Sequence, residues 1–169
     1  MKNSTRILIR TAMIAAVYFA ATVAIPALSY QAIQFRVGEA MTLLPLVFPE
    51  ATIGLTLGCF LANISSPFGW IDMVFGTFAT FVSCVMTAAI GKIFKTERMW
   101  LKCLVGSVPP VLVNALMLPL VWLLFGIEQV YWLNVGTMLI SQTGAVAILG
   151  TILILALKKA RLLEKSKLY

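Results

Sequence analysis

The side chains able to do chemistry in this chain are few, and they gather in three places. Gln31, Gln34, Arg36 and Glu39 form the first group, a second runs from Asn63 to Asp72, and a third from Glu128 to Asn134. Ionised Glu39 and Asp72 accept hydrogen bonds only, Arg36 offers a fork of donors, and the amides of Gln34 and Asn63 both donate and accept. Asn114 and Gln142 stand apart, inside long apolar runs. An unsatisfied amide is costly there, so each is expected to bond a neighbouring helix or line a cavity. The combination of these amides with two carboxylates describes a pocket that grips polar edges of a small molecule. The alternative is that Arg36 and Glu39 simply pair with each other and that Asp72 favours a helix amino terminus.

Catalysis is a poor fit. The chain has no His, which removes the HExxH zinc-protease arrangement and the serine triad, and neither a GxSxG nor a GxxxxGK[ST] loop occurs. Cys59, Cys84 and Cys103 are odd in number, sit in or beside apolar runs and show no CxxC spacing, so they read as packing residues. No catalytic residue, metal or cofactor is expected, and ATP hydrolysis within the chain is not.

The elements that must position these residues are set by composition. Of 169 residues, 61% are apolar and 11% charged, with a mean hydropathy of +0.99, far outside soluble usage. Clear membrane spans run from Ile7 to Leu28, Ile71 to Ile90, Cys103 to Phe125 and Tyr131 to Leu157, helical because a lone helix satisfies its own backbone in lipid. The first is too long for a signal-peptide core and is followed by further membrane segments, so it is expected to stay attached. The stretch from Arg36 to Ser65 holds Pro45 and Pro49 and reads as two short helices.

Charge parity fixes the count. Five spans would put the basic connector Lys92, Lys95, Arg98 and Lys102 on the opposite side from the tail Lys158, Lys159, Arg161, Lys165 and Lys167. Six spans put them together, and the positive-inside rule then leaves Arg36 as the sole outward cation of 13. The expectation is one all-α membrane domain over 1–169, with helices near 7–28, 37–48, 50–65, 71–91, 103–125 and 131–158, the second and third short, and both termini cytosolic. Tyr30, Trp70, Tyr131 and Trp132 mark the outer boundary and Trp100 the inner one. The net charge of +7 flanks spans and fits orientation and anionic lipid, not nucleic acid.

Two stripes of small residues follow a four-residue spacing: Ala12, Ala16, Ala20 and Ala24 on the first helix, and Gly54, Gly58 and Ala62 on the third. Such stripes let helix backbones approach closely. Contact inside the bundle and docking of a partner are evenly balanced for the Ala stripe, whereas internal packing is the stronger reading for the Gly stripe. The chain shows no internal repeat of the kind found in self-contained secondary transporters, which favours a protein that works with partners.

The string Gln34-Phe35-Arg36-Val37-Gly38-Glu39-Ala40, continuing through Leu43-Leu44-Pro45 to Phe48-Pro49-Glu50-Ala51, resembles the QueT family. Gly58-Cys59-Phe60-Leu61-Ala62-Asn63, Asp72-Met73-Val74-Phe75-Gly76-Thr77, and Pro109-Pro110 with Asn114 extend the resemblance over nearly the whole chain. It implies a substrate-binding S component of an energy-coupling-factor (ECF) importer in the bacterial cytoplasmic membrane. The ligand implied is a queuosine precursor, a 7-deazaguanine such as preQ1 or preQ0. The partners implied are a transmembrane T subunit, docked on Ala12, Ala16, Ala20 and Ala24, and two cytosolic ATPases whose ATP hydrolysis drives the loaded subunit to topple inward.

A deazaguanine presents a donor edge that a carboxylate accepts and a carbonyl that Asn, Gln or Arg can meet. Gln34, Arg36, Glu39, Asn63, Asp72, Asn114 and Gln142 are therefore the expected polar lining, with Trp132 as a stacking wall. Glu50 falls at the inner end of the second helix, where it would cap a helix or couple to the T subunit. The competing expectations are an S component for another vitamin or nucleobase-like micronutrient, and a membrane assembly protein without a ligand.

Overall fold

The computed structural model describes residues 3–24, 35–127 and 129–160. Every regular element among them is helical: α1 (Asn3–Val23), α2 (Val37–Leu46), α3 (Ala51–Asn63), α4 (Asp72–Ile93), α5 (Met99–Leu124) and α6 (Tyr131–Lys159). Of these, α1, α4, α5 and α6 are long and apolar enough to cross a bilayer. The chain is a multi-pass membrane protein, and its described residues form six helices, two of them short. The expected continuation of the first helix beyond Ala24 lies outside the described residues.

The short pair forms a hairpin. α2 is wound as a 3₁₀ helix with Pro45 inside it, and at about 2 Å per residue it extends roughly 20 Å. α3 extends about as far at 1.5 Å per residue, so each falls short of the ~30 Å hydrocarbon core. The break between them is one turn later than Pro45. Val47 and Phe48 both bond back to the Leu44 carbonyl, at 3.0 and 2.8 Å, and Pro49 and Glu50 make the reversal. Pro45 is tolerated because each N–H of a 3₁₀ turn bonds only three residues back, and one missing donor does not break the remaining ladder. At the tip, Glu50 meets Arg10 of α1 at 3.6 Å.

α1 presents two opposite faces. Thr11, Ala15, Tyr18 and Thr22 are buried against the bundle, while Ala12, Ala16, Ala20 and Ala24 are exposed. The Ala stripe is thus not consumed by internal packing. The Gly stripe is. A Cβ on Gly54 would lie 2.6 Å from the Thr11 carbonyl oxygen, and one on Gly58 would lie 2.8 Å from that of Ala15. The α1 and α3 backbones are therefore in direct contact, as small-residue stripes permit. Gly54→Ala is expected to push the two helices apart and cost about 1–3 kcal/mol, read as a lower unfolding temperature in detergent; an unchanged temperature would contradict this contact.

Two helices carry π-helical segments, Asp72–Gly76 at the start of α4 and Thr143–Gly150 within α6. Such wide turns re-aim side chains and recur at functional sites. One contains Asp72, and the other begins directly after Gln142.

Candidate binding site

The buried polar residues converge at one place between two apolar clusters. Tyr18, Leu43, Leu55 and Cys59 belong to one cluster, and Leu118, Trp122 and Met138 to the other. Helical periodicity brings the lining together. Asn114, Leu118 and Trp122 follow one face of α5 at four-residue steps, Gly76 and Thr80 do so on α4, and Met138 and Gln142 on α6. Arg36 precedes α2 directly, and the three-residue spacing to Glu39 matches the 3₁₀ period that stacks side chains on one side. Arg36, Glu39, Asn63, Asp72, Asn114 and Gln142 are all no more than 4% exposed.

Hydrogen bonds divide these groups into two linked halves. In the first, the Asp72 carboxylate accepts from Arg36 Nη2 at 3.2 Å, Ser66 Oγ at 2.7 Å and Trp122 Nε1 at 3.2 Å. Asn63 accepts from Arg36 Nη1 at 3.0 Å and donates to the Asp72 carbonyl oxygen at 3.0 Å and to Cys59 Sγ at 3.4 Å. A Cβ on Gly76 would sit 2.8 Å from Asn63 Nδ2, so the bare glycine makes room for this amide. This half is a buried ion pair whose carboxylate oxygens both accept further hydrogen bonds, which helps make a buried pair tolerable.

The second half centres on Glu39. Tyr18 Oη donates to Glu39 Oε1 at 2.5 Å, Asn114 Nδ2 donates to Glu39 Oε2 at 3.4 Å, and the same amide donates to Gln142 Oε1 at 3.4 Å. Both carboxylate oxygens face neutral donors, and the Asn114 contacts are long. The gap bounded by Arg36, Glu39, Gly76, Thr80, Asn114, Leu118, Met138 and Gln142 encloses about 210 Å³ in total, in crevices that admit no water-sized sphere. The bonds to Glu39 are unequal: the one from Tyr18 is the shortest of the cluster, whereas the two that Asn114 donates, to Glu39 and to Gln142, are long.

Of the expected lining, the structure unites Arg36, Glu39, Asn63, Asp72, Asn114 and Gln142. Gln34 lies outside the described residues. Trp132 is not part of the cluster: in the first turn of α6 it is 77% exposed and packs edge-on against Tyr131, with ring centroids 5.0 Å apart. Its exposure suits a boundary anchor. The apolar walls are instead Leu118 and Met138. Sequence reading also missed Tyr18, Ser66, Thr80 and Trp122. Tyr18 left a signal, since a phenol in mid-span needs a partner for its hydroxyl. Asp72 is also more than an amino-terminal residue of its helix, and the ion pair of Arg36 is with it. Cys59, Cys84 and Cys103 are buried free thiols. Among the described residues no group of three or more His, Cys, Asp or Glu side chains gathers to hold a metal.

A larger concavity of about 570 Å³ lies where α1, α2 and α6 meet. Met13, Val17, Ala21, Met41, Leu149 and Leu153 line it, with Arg10 and Glu50 among its few polar groups. It offers no cluster of convergent polar atoms and is a surface for apolar contact.

Comparison with known proteins now bears on these sites. Residues 8–159 match the family described as QueT transporter. The queuosine precursor transporter QueT of Lactococcus lactis subsp. cremoris (strain MG1363) is 31% identical over 101 residues, a stretch that covers 59% of this chain and 59% of that relative. No solved structure matches the chain.

Proposed function

The chain belongs to the QueT transporter family, and from that premise we propose that it is the substrate-binding subunit of an importer for queuosine precursors, the 7-deazaguanine bases. One observation carries the reading. All six helices contribute to a buried polar cluster in which one carboxylate, Glu39, takes its hydrogen bonds from neutral donors, a short one from Tyr18 and a long one from Asn114. In a membrane-embedded bundle such a group marks a substrate site by default.

Asp72 and Asn63 hold the guanidinium of Arg36, and Ser66 and Trp122 hold Asp72 in turn, which leaves Glu39 to accept the paired N–H groups of the base. Asn114 and Gln142, freed from each other, meet the carbonyl side of the ring. Leu118 and Met138 cover its faces. Asp72 is a positioning residue and Glu39 a binding residue.

For energy coupling we propose the ECF arrangement. The exposed stripe Ala12, Ala16, Ala20 and Ala24 provides a shallow face for a transmembrane T subunit, and the neighbouring apolar concavity extends that face. Glu50, at the hairpin tip and bound to Arg10, links the bundle to the same helix. Two cytosolic ATPases supply the energy, and the basic last turns of α4, with Lys92, and of α6, with Lys158 and Lys159, lie on their side of the cell membrane.

The test is a thermal-shift and calorimetric comparison of the purified protein with a 7-deazaguanine and a 7-deazaadenine. The adenine-like base lacks the ring N–H that a carboxylate reads. Stabilisation by the first and not the second is expected, whereas no response to any deazaguanine would overturn the assignment. Copurification with a T subunit and paired ATPases tests the coupling.

A further inference from the structure

The broad concavity between α1 and α6 has a depth and a lining unlike those of the polar cluster. Met13, Val17 and Ala21 line it at four-residue steps on α1, and Leu149, Leu153 and Leu157 do so on α6. α2 packs against both helices and forms its floor. From Arg10 to Ala21 the α1 axis rises about 16 Å at 1.5 Å per residue, roughly half of the ~30 Å hydrocarbon core. The groove is thus one leaflet deep. A spanning helix needs about twice that length, whereas a phospholipid tail ends at the bilayer midplane.

Charge distinguishes one end of the groove. Arg10 lines it there, and Glu50 meets this guanidinium at 3.6 Å. One carboxylate contact leaves most of the five donors of a half-exposed Arg facing water. Arg6 stands one turn before Arg10, and Lys158 and Lys159 follow Leu157 directly in the last turn of α6. Neither α1 nor α6 contains an acidic residue, so this end is net positive, and the positive-inside rule sets it in the cytosolic leaflet. We infer that the groove seats one tail of an anionic phospholipid from that leaflet, with its phosphate drawn to Arg10, Lys158 and Lys159. Clustered Lys and Arg at the bilayer surface attract anionic headgroups, and Arg pairs with phosphate through parallel N–H bonds. The seat shares no lining residue with the crevices around Glu39, so lipid and substrate occupy separate sites.

The deciding measurement is native mass spectrometry of the full chain in detergent, titrated with phosphatidylglycerol and with phosphatidylcholine of the same tails. A first phosphatidylglycerol is expected to bind at least about fivefold tighter than phosphatidylcholine. Val17→Trp fills the groove from an exposed position and is expected to weaken that first binding at least ~10-fold. Met13→Trp, exposed as well, gives the same reading should Val17→Trp fail to fold. Lys158→Gln with Lys159→Gln is expected to lower the preference for phosphatidylglycerol about threefold or more. Equal affinity for the two lipids overturns the anionic selection, and a preference untouched by the Lys variants overturns their part in it. First binding that survives both Trp variants overturns the groove as the seat. A chain that binds neither lipid, or pairs with a second copy in their place, overturns the proposal outright and leaves the groove to a protein partner.

Discussion

Glu39→Ala is expected to lower affinity for a deazaguanine by about a hundredfold or more while the protein stays folded. The reasoning starts from the partners of this carboxylate. Hydrogen bonds to a charged group contribute about 1.5–3 kcal/mol each, and a base that replaces Asn114 and engages both oxygens of Glu39 makes two. Truncation removes both and leaves the Tyr18 hydroxyl without its acceptor. Asp72→Ala should behave differently. It strips the ion pair from a buried guanidinium, a change that costs about 3–5 kcal/mol of stability, so its first symptom is a lower unfolding temperature. Calorimetry beside thermal unfolding separates the two outcomes. A change in affinity of less than about threefold for Glu39→Ala would remove this residue from the binding site.

Replacing the exposed stripe, Ala12, Ala16 and Ala20 together by Leu, is expected to abolish copurification with a T subunit and to reduce uptake of a labelled base at least ~10-fold. Ligand affinity of the isolated chain should change less than about twofold. These alanines face away from Tyr18 and Gly58, so larger side chains meet lipid in the isolated protein and disturb no internal contact. In a complex they hold two helix backbones apart by the width of a branched side chain, which removes the close packing that drives helix association in lipid. Normal assembly of the triple variant would show that the partner docks elsewhere. A parallel fall in ligand affinity would show that the stripe serves the bundle after all.

Much of the architecture is legible in the chain because lipid imposes simple rules. Span length, the Pro45–Pro49 break and the parity of the basic clusters give six helices with a short second and third, as the structure has them. The stripe of Gly54, Gly58 and Ala62 is legible because a short helix needs close neighbours and small side chains admit them, and Gly54 and Gly58 do meet the α1 backbone. The polar lining is legible through cost: Asn114 and Gln142 cannot be left unsatisfied in apolar helices, and they meet.

Other features depend on facts that spacing does not carry. Trp132 and Trp122 are equally aromatic, yet one anchors the surface and the other donates to Asp72, because position along a helix does not reveal which face is covered. The 3₁₀ winding of α2 and the π turns near Asp72 and Gln142 follow from tertiary packing. Those local windings decide which side chains point inward. Gln34 falls outside the described residues, so its place in the lining rests on sequence alone.

The crevices around Glu39, too narrow for a water-sized sphere, carry a consequence for the membrane itself. A carrier returns empty after each delivery, and a wet polar shaft through a bundle would let protons and sodium ions slip down their gradients on every return. Here Asn114 bonds Gln142 and Tyr18 bonds Glu39, so the cluster fills its own interior with hydrogen bonds. On the importer reading proposed above, the same hydrogen bonds that a ligand breaks close this path to ions.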